Sequence, residues 1–222
     1  MDKRFLAILG VIAAVFIGIF VIAQSGDDNG GKSGGSSSQQ ATDHVKGQNA
    51  KNVTLLEYGD YQCPICGLYE PTIEQVYAKY QKDIQLQFRN LPLASIHPNA
   101  FAAARAAEAA GMQNKYWEMH DKLYENQNSW SGSNNALNLF KGYAQQIGLN
   151  VNQFTTDYAK KEVNDAINAD MAAFGKTGQE QATPTFFING KYVSNTDLAG
   201  ENGAPSADKF GQKLDAAIAA SQ

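Results

Sequence analysis

The chain has 222 residues, a formal net charge of −4 and only two cysteines. Its 18 basic and 22 acidic residues are mixed along the chain and form no basic runs, which argues against nucleic acid as a partner. Beyond the apolar first residues, the remaining length suits one domain of ordinary size, about 100 to 200 residues, with a core that needs no disulfide support.

The first 23 residues predict export. Lys3 and Arg4 precede nineteen uncharged residues, FLAILGVIAAVFIGIFVIA. This run is close to the roughly 20 residues of a bilayer-spanning helix. It is longer than the apolar region of a signal peptide, which has ~7 to 15 residues. We therefore predict a membrane anchor over residues 1–23, with the following chain outside the cytoplasm. The alternative is a cleaved signal peptide, because Val21 and Ala23 have the small-residue spacing that a signal peptidase accepts. Cleavage would release a secreted or periplasmic protein.

Residues 24–43 predict a flexible linker, because they are polar and rich in glycine and serine. Such a linker would let a globular domain stand clear of the membrane and turn towards different partners. A passive spacer is the simpler interpretation. The globular domain then extends over residues 44–222.

The domain begins with a strand, a helix and a second strand. Residues 52–61 are apolar and β-branched, residues 64–80 carry apolar side chains at helical spacing, and residues 83–93 alternate as a strand does. This order is the unit of a parallel sheet.

A block of helices follows over about residues 97–175, with residues 151–175 as its last helical stretch, and strand character returns over residues 183–193. Asn189 and Gly190 are typical of a two-residue hairpin turn. A last helix is predicted over about residues 206–220. The whole order indicates an α/β, thioredoxin-like fold with a helical insertion domain and the cysteine pair between the first strand and the first helix.

The two cysteines, Cys63 and Cys66, are separated by two residues. A structural zinc site needs four ligands, and the chain offers two cysteines and isolated histidines at positions 44, 97 and 120, so we expect no metal. A stabilising disulfide is also a poor interpretation, because the loop it would close is very short. Redox exchange fits the spacing best.

Pro64 favours the first position of a helix, which would place Cys63 at the helix N-terminus and Cys66 one turn later on the same face. The positive end of the helix dipole would stabilise a Cys63 thiolate, so we predict Cys63 as the attacking sulfur and Cys66 as the resolving one. The intervening Pro64 and Ile65 add no cation, which limits the expected oxidising power.

Three stretches together resemble the DsbA family of exported thiol-disulfide oxidoreductases, in particular its membrane-tethered bacterial branch. They are LEYGDYQCPIC, the pair HPNAFAAARAAEAA and YWEMHDKLYENQ, and ATPTFFINGK. The resemblance implies an enzyme whose only cofactor is its redox-active Cys63–Cys66 disulfide. It also implies reduced exported proteins as substrates and a reoxidising membrane partner of the DsbB or VKOR type.

The resemblance assigns roles to individual residues. Pro184 would be a cis-proline facing the cysteines, and Thr183 would pair its backbone with an extended substrate, with Pro64 and Ile65 completing the substrate-binding surface. Glu57 would be a buried acid that relays a proton to the second cysteine. The alternatives are a strand-start proline and a solvated Glu57 at a strand edge.

The leading functional hypothesis is an exported oxidase that gives its disulfide to newly translocated proteins. A reductase or isomerase of the same fold is the first alternative, because direction depends on potential and partner. A peptide-binding holdase with incidental thiols is the second. The short alanine-rich tail shows no dimerisation domain, so we expect a monomer.

Overall fold

The computed structural model describes residues 40–221, and the predicted anchor and residues 24–39 of the predicted linker lie outside this range. The strands are β1 (His44–Lys46), β2 (Val53–Gly59), β3 (Ile84–Asn90), β4 (Thr185–Ile188) and β5 (Lys191–Val193). The helices are α1 (Pro64–Tyr80), α2 (Ala100–Gly111), α3 (Tyr116–Glu125), α4 (Gln127–Trp130), α5 (Ala136–Gln146), α6 (Val151–Tyr158), α7 (Lys161–Gly175), α8 (Asn195–Leu198) and α9 (Ala207–Ala220). None of these helices is long and apolar enough to cross a membrane.

The strands form one mixed sheet in the order β1-β3-β2-β4-β5. Strands β2 and β3 are parallel and are joined through α1, whereas the other three neighbouring pairs are antiparallel. The predicted β-α-β unit, the terminal hairpin and the α/β thioredoxin-like class are therefore confirmed. The hairpin turns at Asn189 and Gly190, whose φ angles of 49° and 75° are those of a tight two-residue turn.

The central strand β2 divides the core, because successive side chains point to opposite faces of a sheet. Val53 and Leu55 are buried in a cluster with side chains of α1 and α9. Tyr58 points to the other face, where it packs against Phe174 of α7 and Phe187 of β4. Both faces of β2 are thus covered, and the C-terminal end of this strand leads directly to the cysteines.

The helical insertion, α2 to α7, packs around the alanine-rich helix α2. Its small side chains let α3, α6 and α7 come close, and the cluster buries Trp130, Phe140 and Phe154 completely. Phe88 of β3 belongs to the same cluster as both cysteines, so the insertion and the sheet share one core at the redox pair.

Three features differ from the sequence predictions. Strand β1 was not predicted, and it is held at the sheet edge by pairing with β3 and by the His44–Glu108 contact of 2.8 Å. The single helical stretch predicted over residues 151–175 is two helices, because Lys160 has an extended backbone (ψ 147°). Within the predicted linker, Thr42 is already fixed, since its N–H and hydroxyl donate to Asp170 at 2.7 and 2.9 Å.

Two leucine-to-alanine substitutions test this division of the core. Leu55 is 1% exposed and Leu68 is 55% exposed. Leu55→Ala should lower the free energy of unfolding by about 2 to 5 kcal/mol, because it leaves a cavity behind the central strand. Leu68→Ala should change it by only about 0.5 kcal/mol. Guanidinium unfolding of both variants checks the difference, and equal losses would contradict the described packing.

Candidate active site

The cysteine pair lies at the start of α1. Cys63 is the N-cap residue and Pro64 the first helical residue, as the sequence predicts. Cys66 is completely buried, while Cys63 is 6% exposed, and both thiols are free. The chain therefore presents one sulfur towards the surface and keeps the other behind it.

The pKa values of the two thiols are shifted in opposite directions. The pKa of Cys63 is lowered to about 5, chiefly by a hydrogen bond from Cys66, with help from the N–H groups of Ile65 and Cys66. The pKa of Cys66 is raised well above its usual value, because the thiol is buried, donates its hydrogen bond to Cys63 and lies near the Glu57 carboxylate. Cys63 is therefore the nucleophile and the better leaving group.

Thr183 and Pro184 lie against Cys63. The protonated Cys63 thiol contacts the Thr183 carbonyl oxygen at 3.4 Å, and the Thr183–Pro184 peptide bond is cis, as the resemblance implied. The hydroxyl of Thr183 is buried and has no hydrogen-bond partner among residues 40–221. Pro64 and Ile65 are exposed beside the same sulfur.

Glu57 is 2% exposed, so the solvated-edge alternative is wrong. It lies on β2, on the same face as Leu55, and its position opposite Phe88 and Phe186 leaves it little contact with water. The pKa of Glu57 is raised well above its usual value by burial and then by repulsion from Glu70 and Cys63. A carboxyl group that resists ionisation beneath a thiol pair can exchange a proton with it.

Gln127 is a positioning residue that the sequence analysis missed. Its side-chain amide donates to the carbonyl oxygens of Tyr61 at 2.8 Å and Cys63 at 2.9 Å. It belongs to α4 of the insertion, so a helix distant in sequence fixes the backbone of the redox loop. No local pattern marks this residue, because its partners lie more than sixty positions earlier.

Glu70 was also missed, although a signal was present. It follows Cys66 by one helical turn, the spacing that places two residues on one helix face, and it is buried. Two histidines lie near the site: His97 contacts the buried Asp60 at 2.7 Å, and Nδ1 of the buried His120 lies 3.1 Å from the Tyr61 hydroxyl.

Comparison with known proteins places this geometry in a family. The thioredoxin family model matches residues 39–210. A thioredoxin-like oxidoreductase from Silicibacter pomeroyi DSS-3 superimposes with a TM-score of 0.63 at 26% identity, covering 79% of this chain and 91% of that one. BdbD from Bacillus subtilis superimposes with a TM-score of 0.64 at 21% identity over 81% and 99% of the two chains. For alpha-DsbA1 from Wolbachia pipientis the score is 0.65 at 22% identity over 82% and 94%.

Curated relatives match a shorter segment. The Na(+)/H(+) antiporter NhaA 1 of Salinispora arenicola is 38% identical over 154 residues, which are 67% of this chain and 22% of that protein. The chain spans about a fifth of the length of the curated relatives it matches. Their transport activity is a property of those much longer proteins.

The fold is thioredoxin-like, and its site combines a nucleophilic thiol at a helix N-terminus with a completely buried second thiol. The chain belongs to the thioredoxin family.

The pKa of Cys63 predicts its reactivity with pH. The rate of Cys63 alkylation by iodoacetamide should reach half its maximum near pH 5 and stay constant above about pH 6, because only the thiolate reacts. In Cys66→Ala the midpoint should rise, since the main hydrogen-bond donor is gone. Mass spectrometry of quenched samples measures the rate, and a midpoint near 8.5, the ordinary value for cysteine, would contradict the described site.

The same pKa predicts how stability depends on pH. The Cys63 pKa of about 5 in the folded dithiol form is below the unfolded value of about 8.5, so ionisation stabilises this form at high pH. This contribution is lost as pH falls towards 5. Between pH 5 and 8 the reduced protein should therefore gain free energy of unfolding relative to Cys63→Ala. Urea titrations at several pH values check the difference, which a flat profile would contradict.

Proposed function

We propose that this enzyme is an exported oxidase that introduces disulfide bonds into extracytoplasmic proteins through Cys63 and Cys66. The observation that carries the proposal is the Cys63 pKa of about 5. It lies below the value of about 7 in thioredoxin and above the value of about 3.5 in DsbA. A stabilised thiolate favours the dithiol over the disulfide and so makes the disulfide an oxidant.

The proposed reaction has two exchange steps. A substrate thiolate attacks Cys63 Sγ of the enzyme disulfide, forming a mixed disulfide and releasing the Cys66 thiolate, which takes up a proton. A second substrate thiolate then attacks the substrate sulfur of the mixed disulfide and releases Cys63 as a thiolate. The substrate loses two electrons to form its disulfide, and the enzyme gains them as a dithiol.

The leaving group favours this direction. In the second step Cys63 departs, and a thiol of low pKa departs faster than an ordinary one. Attack by Cys66 on the mixed disulfide would instead return the substrate to its reduced state. The raised pKa of Cys66 keeps that competing attack slow, because little thiolate is present at neutral pH.

Each predicted site residue has a place in this scheme. Thr183 and the following cis-proline offer a backbone edge to an extended substrate opposite Cys63, and the exposed Pro64 and Ile65 give apolar contact beside it. Glu57 supplies the proton that Cys66 takes up as it leaves. No cofactor beyond the cysteine pair enters the scheme.

The proposed location rests on the amino-acid sequence, and the proposed partners rest on the resemblance to the DsbA family. The charged and then apolar residues 1–23 support an anchor in the cell membrane with the catalytic domain outside the cytoplasm. An enzyme that hands on its disulfide must recover it, so we propose a quinone-linked membrane partner of the DsbB or VKOR type. The proposed working form is a monomer acting on reduced exported proteins.

The redox equilibrium tests the direction of the reaction. When the full chain is equilibrated with glutathione buffers, the potential of the Cys63–Cys66 couple should lie well above the value of about −270 mV for thioredoxin. Thiol alkylation and mass spectrometry give the oxidised fraction. A potential near or below that of thioredoxin would favour the reductase alternative.

Cys63→Ala is the control for the holdase alternative. The oxidase predicts that this variant neither oxidises reduced ribonuclease nor restores disulfide formation in cells that lack the gene. A holdase would keep its function in the same variant, because peptide binding needs no thiol. Retained function in Cys63→Ala would therefore overturn the proposed chemistry.

A second prediction concerns Glu57. Glu57→Gln keeps the size of the side chain but cannot donate a proton to Cys66, so opening of the enzyme disulfide by a small thiol should slow at least about tenfold. The pH dependence of this rate should also flatten, which a merely structural defect would not produce. Glu118→Gln is the matched control, because Glu118 is half-buried on α3 and its carboxylate pairs with Lys115. Stopped-flow fluorescence measures both rates, and identical profiles would exclude the relay.

A further inference from the structure

A cavity of about 280 Å³ lies between α1 and α3, immediately behind the redox pair. On α1 it is lined by Gly67 and Glu70, and on α3 by Asp121 and Tyr124. Pro71 also lines it, and a proline has no N–H to donate to the carbonyl oxygen four residues earlier, which is that of Gly67. The wall of this cavity is therefore rich in oxygen atoms.

Three of these oxygens have no hydrogen-bond partner in the described part of the chain. They are Oε1 of Glu70, Oδ1 of Asp121 and the hydroxyl of Tyr124, all buried as atoms. Tyr124 is only 7% exposed as a residue. Buried polar atoms are costly unless they are paired, and two carboxylates that share one cavity also repel each other. The arrangement calls for a positively charged occupant.

The nearest lysine does not fill this role. The ammonium group of Lys46 is paired with Glu74 and lies 4.6 Å from the centre of the Tyr77 ring and 4.5 Å from that of Trp117. Those contacts engage the Lys46 ammonium group with Glu74 and two aromatic rings, so Glu70 and Asp121 are left without a lysine partner in the described part of the chain.

The buried His120 lies behind Glu70, one of the residues that line the cavity, and offers a nitrogen ligand. Nδ1 of His120 lies 3.1 Å from the Tyr61 hydroxyl, which can hold this ring nitrogen by a hydrogen bond. The other ring nitrogen, Nε2, lies 3.4 Å from Oε1 of Glu70. A metal-bound histidine has this arrangement, with its other ring nitrogen donating to a neighbouring group.

We propose that Glu70, His120 and Asp121 bind a divalent transition-metal cation in this cavity. One ligand atom from each residue lies within 4.8 Å of the others. Two ligand atoms about 2.1 Å from a tetrahedral zinc ion are about 3.4 Å apart, so side-chain movements of about 1 Å close the site. The imidazole favours zinc or a related first-row metal over calcium or magnesium. Water from the cavity and the Tyr124 oxygen complete the coordination.

The isolation of the histidines in the sequence led us to expect no metal. The fold removes the basis of that expectation, because it brings α3 against α1 and so places His120 beside Glu70. The inference is independent of the direction in which the enzyme exchanges disulfides, since neither cysteine is a ligand.

Calorimetric titration of Zn²⁺ into the oxidised full chain, purified in a mild detergent, tests the site. The oxidised form is used because free cysteines bind zinc themselves. We expect saturable binding of one equivalent. Asp121→Asn and Glu70→Gln should each weaken it at least about tenfold, whereas Glu118→Gln on the same helix should leave it unchanged.

Two carboxylate variants are used so that a loss of zinc binding can be distinguished from a loss of folding. Glu70 is buried, so circular dichroism must show that Glu70→Gln is folded, and the half-buried Asp121 provides a second variant. Co²⁺ substitution adds a spectroscopic check, because its visible absorption should change when either carboxylate is replaced. Absence of saturable zinc binding would overturn the proposal, and so would wild-type affinity in both carboxylate variants.

Discussion

The hydrogen bond between the two thiols acts on both in opposite directions. Cys66 donates, so its proton is held more tightly, and the same bond makes the Cys63 thiolate easier to form. The asymmetry depends on burial, because Cys66 has no access to water and Cys63 retains some. If both thiols were equally exposed, nothing would distinguish the nucleophilic cysteine from the resolving cysteine. The start of α1 at Pro64 and the covered faces of the sheet both contribute to this difference in burial between Cys63 and Cys66.

The helical insertion is part of this constraint. Its side chains close one core cluster over the cysteines, and its Gln127 amide holds the carbonyl of Cys63 itself. A further bridge runs from Gln62, which donates to Ser131 and accepts from the Asn99 N–H. The insertion is therefore more than a cover, because it fixes the backbone from which the reactive sulfur projects.

Local features of the site could be predicted from the sequence, and long-range ones could not. Pro64 next to Cys63 specifies the helix start through the geometry of one residue. The alternation of β2 similarly indicated that Glu57 points inwards. Gln127 and Asp121 carry no such mark, because their importance arises only when α3 and α4 pack against α1. Strand β1 escaped prediction for the same reason, since three residues gain a strand conformation only from their partner.

The contact between Thr42 and Asp170 determines where a pull on the chain would act. Asp170 is fully buried and accepts from Thr42 and from the Asn90 N–H, so the N-terminal segment enters the domain through a clamp on α7 and the end of β3. Tension transmitted along that segment would load this clamp and the short edge strand first. The strand that leads to the cysteines is two positions further into the sheet, so a pull on the N-terminal segment would reach it only through β1 and β3.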